Sequence, residues 1–381
     1  MRRVKHKTFP VAMILLFTLG AFIAPAAAWA QAPPQTQAEP ATPETGALQF
    51  ANLGDLKLRG GGVIHDFKIG YRTLGTLNAA KSNAILWPTW LGGQSHDLLA
   101  FVGPNNVLDT AKYFVILVDA IGDGITSSPS NASAQPLMHF PSFTIRDMVE
   151  SQYRLVTEVL HLTHLRAVMG ISMGGMQTFE WAVSHPDFMD LAIPMNGSPQ
   201  MTAYDNLLWT AEISALELDP AWNNGDPKGT FTHGAALEAE LHSMALTSPE
   251  YRVAHTKPGD FGSLFGGIVS STLTAGDAAN HIRQRQAMIG LDVGAEFGDT
   301  LEYAAQRVHA KMLVVISPED HMVNPTPAIA FANAIGAPIL TLDSVCGHQA
   351  LGCISAGPII AQFLADPSSV KAQTLHDPAP Q

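Results

Sequence analysis

Gly170-Ile171-Ser172-Met173-Gly174-Gly175-Met176 is the stretch on which the reading of this chain turns. It follows a short apolar run, Ala167 to Met169, and leads into a helical pattern through Trp181 and Val183. A G-x-S-x-G turn between a strand and a helix is so sharp that a Cβ atom at its first or last glycine strikes neighbouring backbone. The predicted result is a serine, Ser172, held with its hydroxyl out above the end of a sheet. A chance match is the bland alternative in a chain with 32 glycines, and the strand and helix on either side argue against it.

Outward from this turn, short hydrophobic runs alternate with helical patterns. The runs are Ala84 to Trp87, Tyr113 to Val118, Ala167 to Met169, Leu191 to Met195, Met312 to Ile316 and Pro338 to Leu342. Continuous apolar runs of this length suit a parallel sheet covered on both faces. Between Thr144 and Leu160, apolar side chains recur every three or four residues, which predicts a helix with one stripe on that sheet. The alternation predicts an α/β, mostly parallel, doubly wound architecture. Leu56 to Leu58 and Val63 to Tyr71 flank Gly60-Gly61-Gly62 and predict an N-terminal antiparallel hairpin. From about 200 to 305 the rhythm stops, and helical patterns and turn clusters replace the strands. A structureless loop of that length would be anomalous, so an inserted helical cap is expected.

A serine hydroxyl is a weak nucleophile and needs a base, which in turn needs an orienting acid. After such an elbow the acid precedes the base in the chain. The run Met312 to Ile316 leads into Ser317-Pro318-Glu319-Asp320-His321, and the next run leads into Cys346-Gly347-His348. Asp320 and His348 therefore stand where an acid and a base are required, at the strand ends where α/β sheets bind ligands. Glu319 and Asp343 are weaker candidates for the acid, and His321 reads as an accessory or solvated residue. An oxyanion needs two backbone N–H groups. Met173, next to the nucleophile, is the first; the second falls in Thr89-Trp90-Leu91-Gly92-Gly93, at Leu91 or its neighbour Trp90.

The whole chain has 381 residues, 46% of them hydrophobic and 14% charged, enough for a well-buried core. A formal charge of −12 lacks the basic footprint that nucleic acid demands. The two cysteines, Cys346 and Cys353, bracket His348. They are either bonded in an oxidising compartment or packed as two thiols; with His348 they match no standard zinc spacing, and no metal or cofactor is expected. Residues 1–30 have a basic start at Arg2, Arg3, Lys5 and Lys7, an apolar run from Val11 to Ile23 and a small-residue end at Ala28-Trp29-Ala30. This predicts a signal peptide cleaved after Ala30 and a periplasmic or secreted product; the apolar core is shorter than a spanning anchor. Residues 31–46 predict a disordered linker, 47–365 the folded domain, and 366–381 a flexible tail. The expected partner is a small-molecule acyl substrate, with neither nucleic acid nor, after cleavage, membrane; a homodimer stays open.

Several segments together resemble the homoserine O-acetyltransferases of the α/β-hydrolase superfamily. They are Tyr71-Arg72-Thr73-Leu74-Gly75-Thr76-Leu77-Asn78, Phe140 to Val149, Ser172-Met173-Gly174-Gly175-Met176-Gln177 with Glu180-Trp181, and Gly347-His348. The resemblance implies an α/β-hydrolase fold and a Ser172, Asp320, His348 triad that works through an acyl-enzyme. It also brings out departures: homoserine-using members carry an Asp directly after the catalytic His, where this chain has Gln349. Their cap has an arginine before an Asp-Pro pair, whereas Ile213 to Pro220 has none. A homoserine carboxylate would lose a charge-assisted bond without it. The sequence thus favours a hydrolase of small esters or related acyl compounds over an acetyltransferase, and an inactive binding module least, since the triad is complete.

Overall fold

A computed structural model describes residues 46–377 apart from 105, 296, 298 and 299. The signal-peptide and linker expectations for residues 1–45 lie outside the described residues. The apolar runs form one ten-stranded sheet in the order Gln49–Asn52, Lys68–Leu74, Phe114–Val118, Ala84–Pro88, Leu165–Ile171, Met189–Met195, Val314–Ile316, Ile339–Asp343, Gln373–His376, with Lys311–Met312 also paired to Met189–Met195. Pairing is parallel from Phe114–Val118 to the far edge and antiparallel across the first three strands.

Alternate residues of each central strand enter different cores. Leu86, Ile116 and Val168 pack on one face with Met148, Phe179 and Phe331 from the helices Ile145–Arg154, Met173–Ser184 and Thr326–Ile335. Their neighbours Ile85, Trp87, Leu117 and Met169 pack on the other with Leu98, Ile360 and Phe363. Burial on both faces is why these strands read as unbroken apolar runs. The helix expected from Thr144 has Thr144 as its cap in a capping box with Asp147 and continues past Arg154 as a wider π turn to Val159.

Between Met189–Met195 and Lys311–Met312 the chain forms the helices Ala203–Glu217, His233–Leu246, Pro249–His255, Phe261–Val269 and Ala275–Ile289. A two-stranded ribbon, Thr230–Phe231 with Leu273–Thr274, joins them around a small core of Ile213, Leu216, Phe231 and Ile282. Among the described residues no helix is long and apolar enough to cross a membrane.

Two expectations need correction. The run Val63 to Tyr71 is not one strand: Asp66 has φ +51°, and only Val63–Ile64 pairs with Leu56–Lys57 about the glycine turn. The remainder, Lys68–Leu74, joins the main sheet beside Gln49–Asn52, a strand too polar to announce itself. Residues from 366 are not simply a flexible tail either. Gln373–His376 is the parallel edge strand beside Ile339–Asp343, and Val370 is buried. An edge strand gains its ladder from backbone groups and faces solvent on its open side, so Val370 and Leu375 alone carried an apolar signal.

Candidate active site

Ser172 sits at the end of the strand Leu165–Ile171 with φ +57° and ψ −122°, a backbone conformation that side chains rarely adopt. Two close approaches hold it there. A Cβ on Gly170 would lie 2.3 Å from the carbonyl carbon of Gly174, and one on Gly174 would lie 2.6 Å from the Pro88 carbonyl oxygen. The Ser172 N–H donates to the Met195 carbonyl at 2.9 Å, and Met173 opens the next helix.

The structure brings the three separated residues together. His348 Nε2 lies 2.9 Å from Ser172 Oγ, and His348 Nδ1 lies 2.7 Å from Asp320 Oδ2. All three are buried. The other Asp320 oxygen accepts the N–H groups of Met322 at 2.9 Å and Val323 at 2.8 Å, which fixes the carboxylate with Oδ2 toward the imidazole. Asp343 ends its own strand and pairs with His376, away from this chain of bonds. Glu319 is exposed and His321 half-buried, the two 3.8 Å from each other.

His348 is carried on a loop and held by long-range contacts that the sequence did not announce. Asn196, one residue past the strand Met189–Met195, donates from Nδ2 to the His348 carbonyl at 2.9 Å. Cys346 and Cys353 form a disulfide across His348, so their sulfurs are unavailable as metal ligands. From the cap, Ser248 Oγ donates to the Val345 carbonyl at 2.7 Å. Gly347, at φ +62°, leaves no room for a Cβ between Glu319 and Ser248.

The loop after Ala84–Pro88 lies against the elbow. Gly92 N–H donates to Gln284 of the cap at 2.9 Å, and Gly93 N–H to the Trp90 carbonyl at 3.0 Å, so the two later amides of the loop are occupied. Leu91 is half-buried against the core. Beneath the loop, Asp119 accepts Ser95 N–H at 2.6 Å and Ser95 Oγ at 2.7 Å. Asp123 accepts the N–H groups of Ile125 and Thr126. Burial and then the neighbouring Asp119 charge push Asp123 well above the usual carboxylate range, and burial raises Asp119 as well.

In the cap, Arg285 is buried between two carboxylates, with Nε 2.6 Å from Glu212 and a second nitrogen bonded to Glu238. His242 and His281 lie 3.3 Å from the same two carboxylates. Burial alone would raise Glu238, but the Arg285 charge and the two histidines hold its carboxyl far below the usual range. Glu212, Glu238 and His242 converge as a cation site would, yet Arg285 already supplies the positive charge. For the same reason Arg285 does not replace the arginine missing from Ile213 to Pro220: its guanidinium is committed.

Residues 85–351 match the family model described as alpha/beta hydrolase fold. The chain is 32% identical over 345 residues to an ethyl acetate hydrolase of Pseudomonas veronii, covering 88% of this chain and 97% of that one. It is 38% identical over 222 residues to a homoserine O-acetyltransferase of Methanohalobium evestigatum, but over only 51% of this chain and 44% of that one. Among solved structures, an acetylester hydrolase from Corynebacterium glutamicum superposes with a TM-score of 0.75 at 28% identity, covering 86% of this chain and 97% of its own.

Proposed function

Because this chain belongs to the α/β-hydrolase fold family and is an enzyme of the hydrolase or acyltransferase kind, we propose that it is an exported serine hydrolase of small esters with Ser172 as nucleophile. The observation that carries this reading is the unbroken line of hydrogen bonds from Ser172 Oγ through the His348 ring to Asp320. Ser172 Oγ attacks the ester carbonyl carbon as its proton passes to His348 Nε2. The resulting imidazolium keeps its Nδ1–H on Asp320, whose carboxylate stabilises the charge. The oxyanion is received by the Met173 N–H and an N–H of the Trp90-Leu91 pair. His348 returns the proton to the departing alcohol, leaving an acyl group on Ser172; water deprotonated by Nε2 then releases the acid and restores the hydroxyl.

Hydrolysis is preferred to acetyl transfer on three grounds. The ethyl acetate hydrolase matches over nearly its whole length, whereas the acetyltransferase matches over less than half of its own. Gln349 stands where homoserine-using members carry an Asp, and Arg285, bonded to Glu212 and Glu238, does not stand in for the arginine absent from Ile213 to Pro220. Export behind the leader ending at Ala30 argues the same way, since acetyl-CoA is a cytosolic metabolite. The transferase stands second, supported by the 38% identity over half the chain.

A fluorophosphonate probe is expected to label the protein at one site, and Ser172→Ala to abolish labelling and ester turnover, a loss of roughly 10⁶ in kcat, with an unchanged circular dichroism spectrum. Equal labelling of that variant would remove Ser172 as the nucleophile. Efficient O-acetylhomoserine formation from acetyl-CoA and homoserine, with little hydrolysis of a simple acetyl ester, would reverse the choice between the two reactions.

A further inference from the structure

The run Ser172 to Gln177 carries a buried amide whose position the triad does not explain. Gln177 is fully buried in the helix Met173–Ser184. Its Nε2 donates to the carbonyl of Thr89 at 3.0 Å and to the carbonyl of Met173 at 3.1 Å, while its Oε1 accepts from Gln152 Nε2 at 2.6 Å. Gln152, also fully buried, accepts at Oε1 from Trp181 Nε1 at 2.8 Å. The direction of this relay is forced. An indole nitrogen can only donate, so Gln152 turns its oxygen to Trp181 and its NH₂ to Gln177. Gln177 must then present its oxygen to Gln152 and both N–H groups to the two backbone carbonyls.

Those two carbonyls belong to the two halves of the oxyanion hole. Met173 begins the helix after the nucleophile. Thr89 shares a peptide with Trp90, and in a trans peptide the carbonyl and the following N–H point in opposite directions; the described chain contains no cis peptide. Drawing the Thr89 oxygen onto Gln177 therefore fixes where the Trp90 N–H points and, one residue on, how Leu91 enters the loop. The rest of Thr89 is held independently, with its N–H on the Val118 carbonyl at 3.1 Å and its side-chain Oγ accepting from Ala120 N–H at 3.0 Å.

We infer that Gln177 is the positioning residue of the oxyanion hole, setting the loop donor relative to Met173 by holding the Thr89 and Met173 carbonyls with one amide. This rests on the serine-hydrolase reading above. It assigns Gln177 no contact with substrate, so removing it disturbs the transition state more than the bound ester. Taking away an oxyanion donor outright costs about 10²–10³ in rate, and mis-aiming one is expected to cost about 10- to 100-fold.

The test uses the full mature chain and two variants. For Gln177→Met, of similar volume and without donors, kcat on p-nitrophenyl acetate should fall about 10- to 100-fold. KM should stay within about threefold of wild type, as expected when an interaction made in the transition state alone is lost. Inhibition by a trifluoromethyl ketone, which adds to Ser172 and places an alkoxide in the hole, should weaken in parallel with kcat. Fluorophosphonate should still titrate one site per chain, so that rates refer to folded enzyme. Gln177→Glu keeps the shape and, when protonated, one donor. Its deficit should be smaller at low pH and grow as the carboxyl ionises against the two carbonyls, a profile absent from wild type; it carries the test alone if the Met variant does not fold. A lowered melting temperature with wild-type kcat per titrated site, unchanged ketone inhibition and no new pH dependence would overturn the inference. Wild-type protein that neither takes up fluorophosphonate nor hydrolyses esters would instead overturn the function beneath it, before any variant is made.

Discussion

The two sides of the candidate active site are held by different means. The proposed nucleophile, Ser172, stands on a single contiguous turn whose shape follows from what glycine lacks: at Gly170 and Gly174 the backbones approach within a distance that no Cβ tolerates. The proposed base, His348, stands on a loop whose position follows from what distant residues add: Asn196 on its carbonyl, Ser248 on the loop before it, and a disulfide across it. Steric exclusion has no partial state, because one methyl group either fits or does not. A set of staples can lose one member and keep the rest. The nucleophile side should therefore fail abruptly under a small change, and the base side by degrees.

Among changes that test this contrast, the largest effect is expected at Gly170. In Gly170→Ala the new Cβ meets the Gly174 carbonyl carbon and oxygen, both at 2.3 Å, and neither is a side chain that can swing away. The turn has to open, at a cost of at least about 1–3 kcal/mol in stability. A displacement of about 1 Å at the nucleophile is enough for a 10²-fold loss of turnover. Thermal melts and kcat/KM on a p-nitrophenyl ester, normalised to probe-titrated sites, measure both. Turnover within a few-fold of wild type would mean that the elbow yields, and the contrast with the base side would collapse.

The base side is probed through the Cys346–Cys353 bond, which closes a loop with a sequence separation of 7. The chain-entropy relation assigns so short a loop about 2–3 kcal/mol. Cys346→Ser with Cys353→Ser should lower stability by that order. Its kcat should fall only a few-fold, because Asn196, Ser248 and Asp320 still hold the loop and the ring. A loss near the roughly 10⁶ expected for removing Ser172 or His348 outright would show that the disulfide, and not the set of staples, sets the position of His348.

This difference also decided what could be read from the chain alone. The elbow, the order of acid and base, and the apolar central strands are local signals, written in consecutive residues. The contacts that complete the site are not. Asn196 with His348 and Gln284 with Gly92 join residues more than a hundred positions apart through single polar atoms, and no periodicity marks them. Gln177 lay in plain view inside the resemblance, but its partners Thr89 and Gln152 become visible as partners only once the strand end and two helices are packed together. The edge strands Gln49–Asn52 and Gln373–His376 were hidden for a related reason. Their stabilisation comes from backbone pairing, which any polar sequence can supply.

The smallest expected effect on turnover concerns a third kind of hold, by a proton, below the loop that faces the elbow. Asp119 has the Ser95 N–H and hydroxyl as donors, with Arg72 bonded to the same hydroxyl, so it bears the charge of the pair more readily than Asp123. Burial, and then the Asp119 charge, keep Asp123 protonated well above the usual carboxylate range. A carboxyl raised in the folded state binds more protons folded than unfolded at every pH between its two pKa values. Its contribution is thus fully present below the unfolded value of about 3.9 and is lost as pH climbs from there toward the folded value. Asp123→Asn keeps an oxygen for the Ile125 and Thr126 N–H groups and a donor for Asp119, without a proton to lose. The stability of wild type should therefore decline relative to Asp123→Asn as pH rises from about 4 to 8, by at most one proton's worth, about 1.4 kcal/mol per pH unit. Thermal melts of both proteins at matched ionic strength give the comparison directly. Parallel curves would mean that Asp123 is already ionised in the folded protein, and that no proton contributes to the hold on this loop.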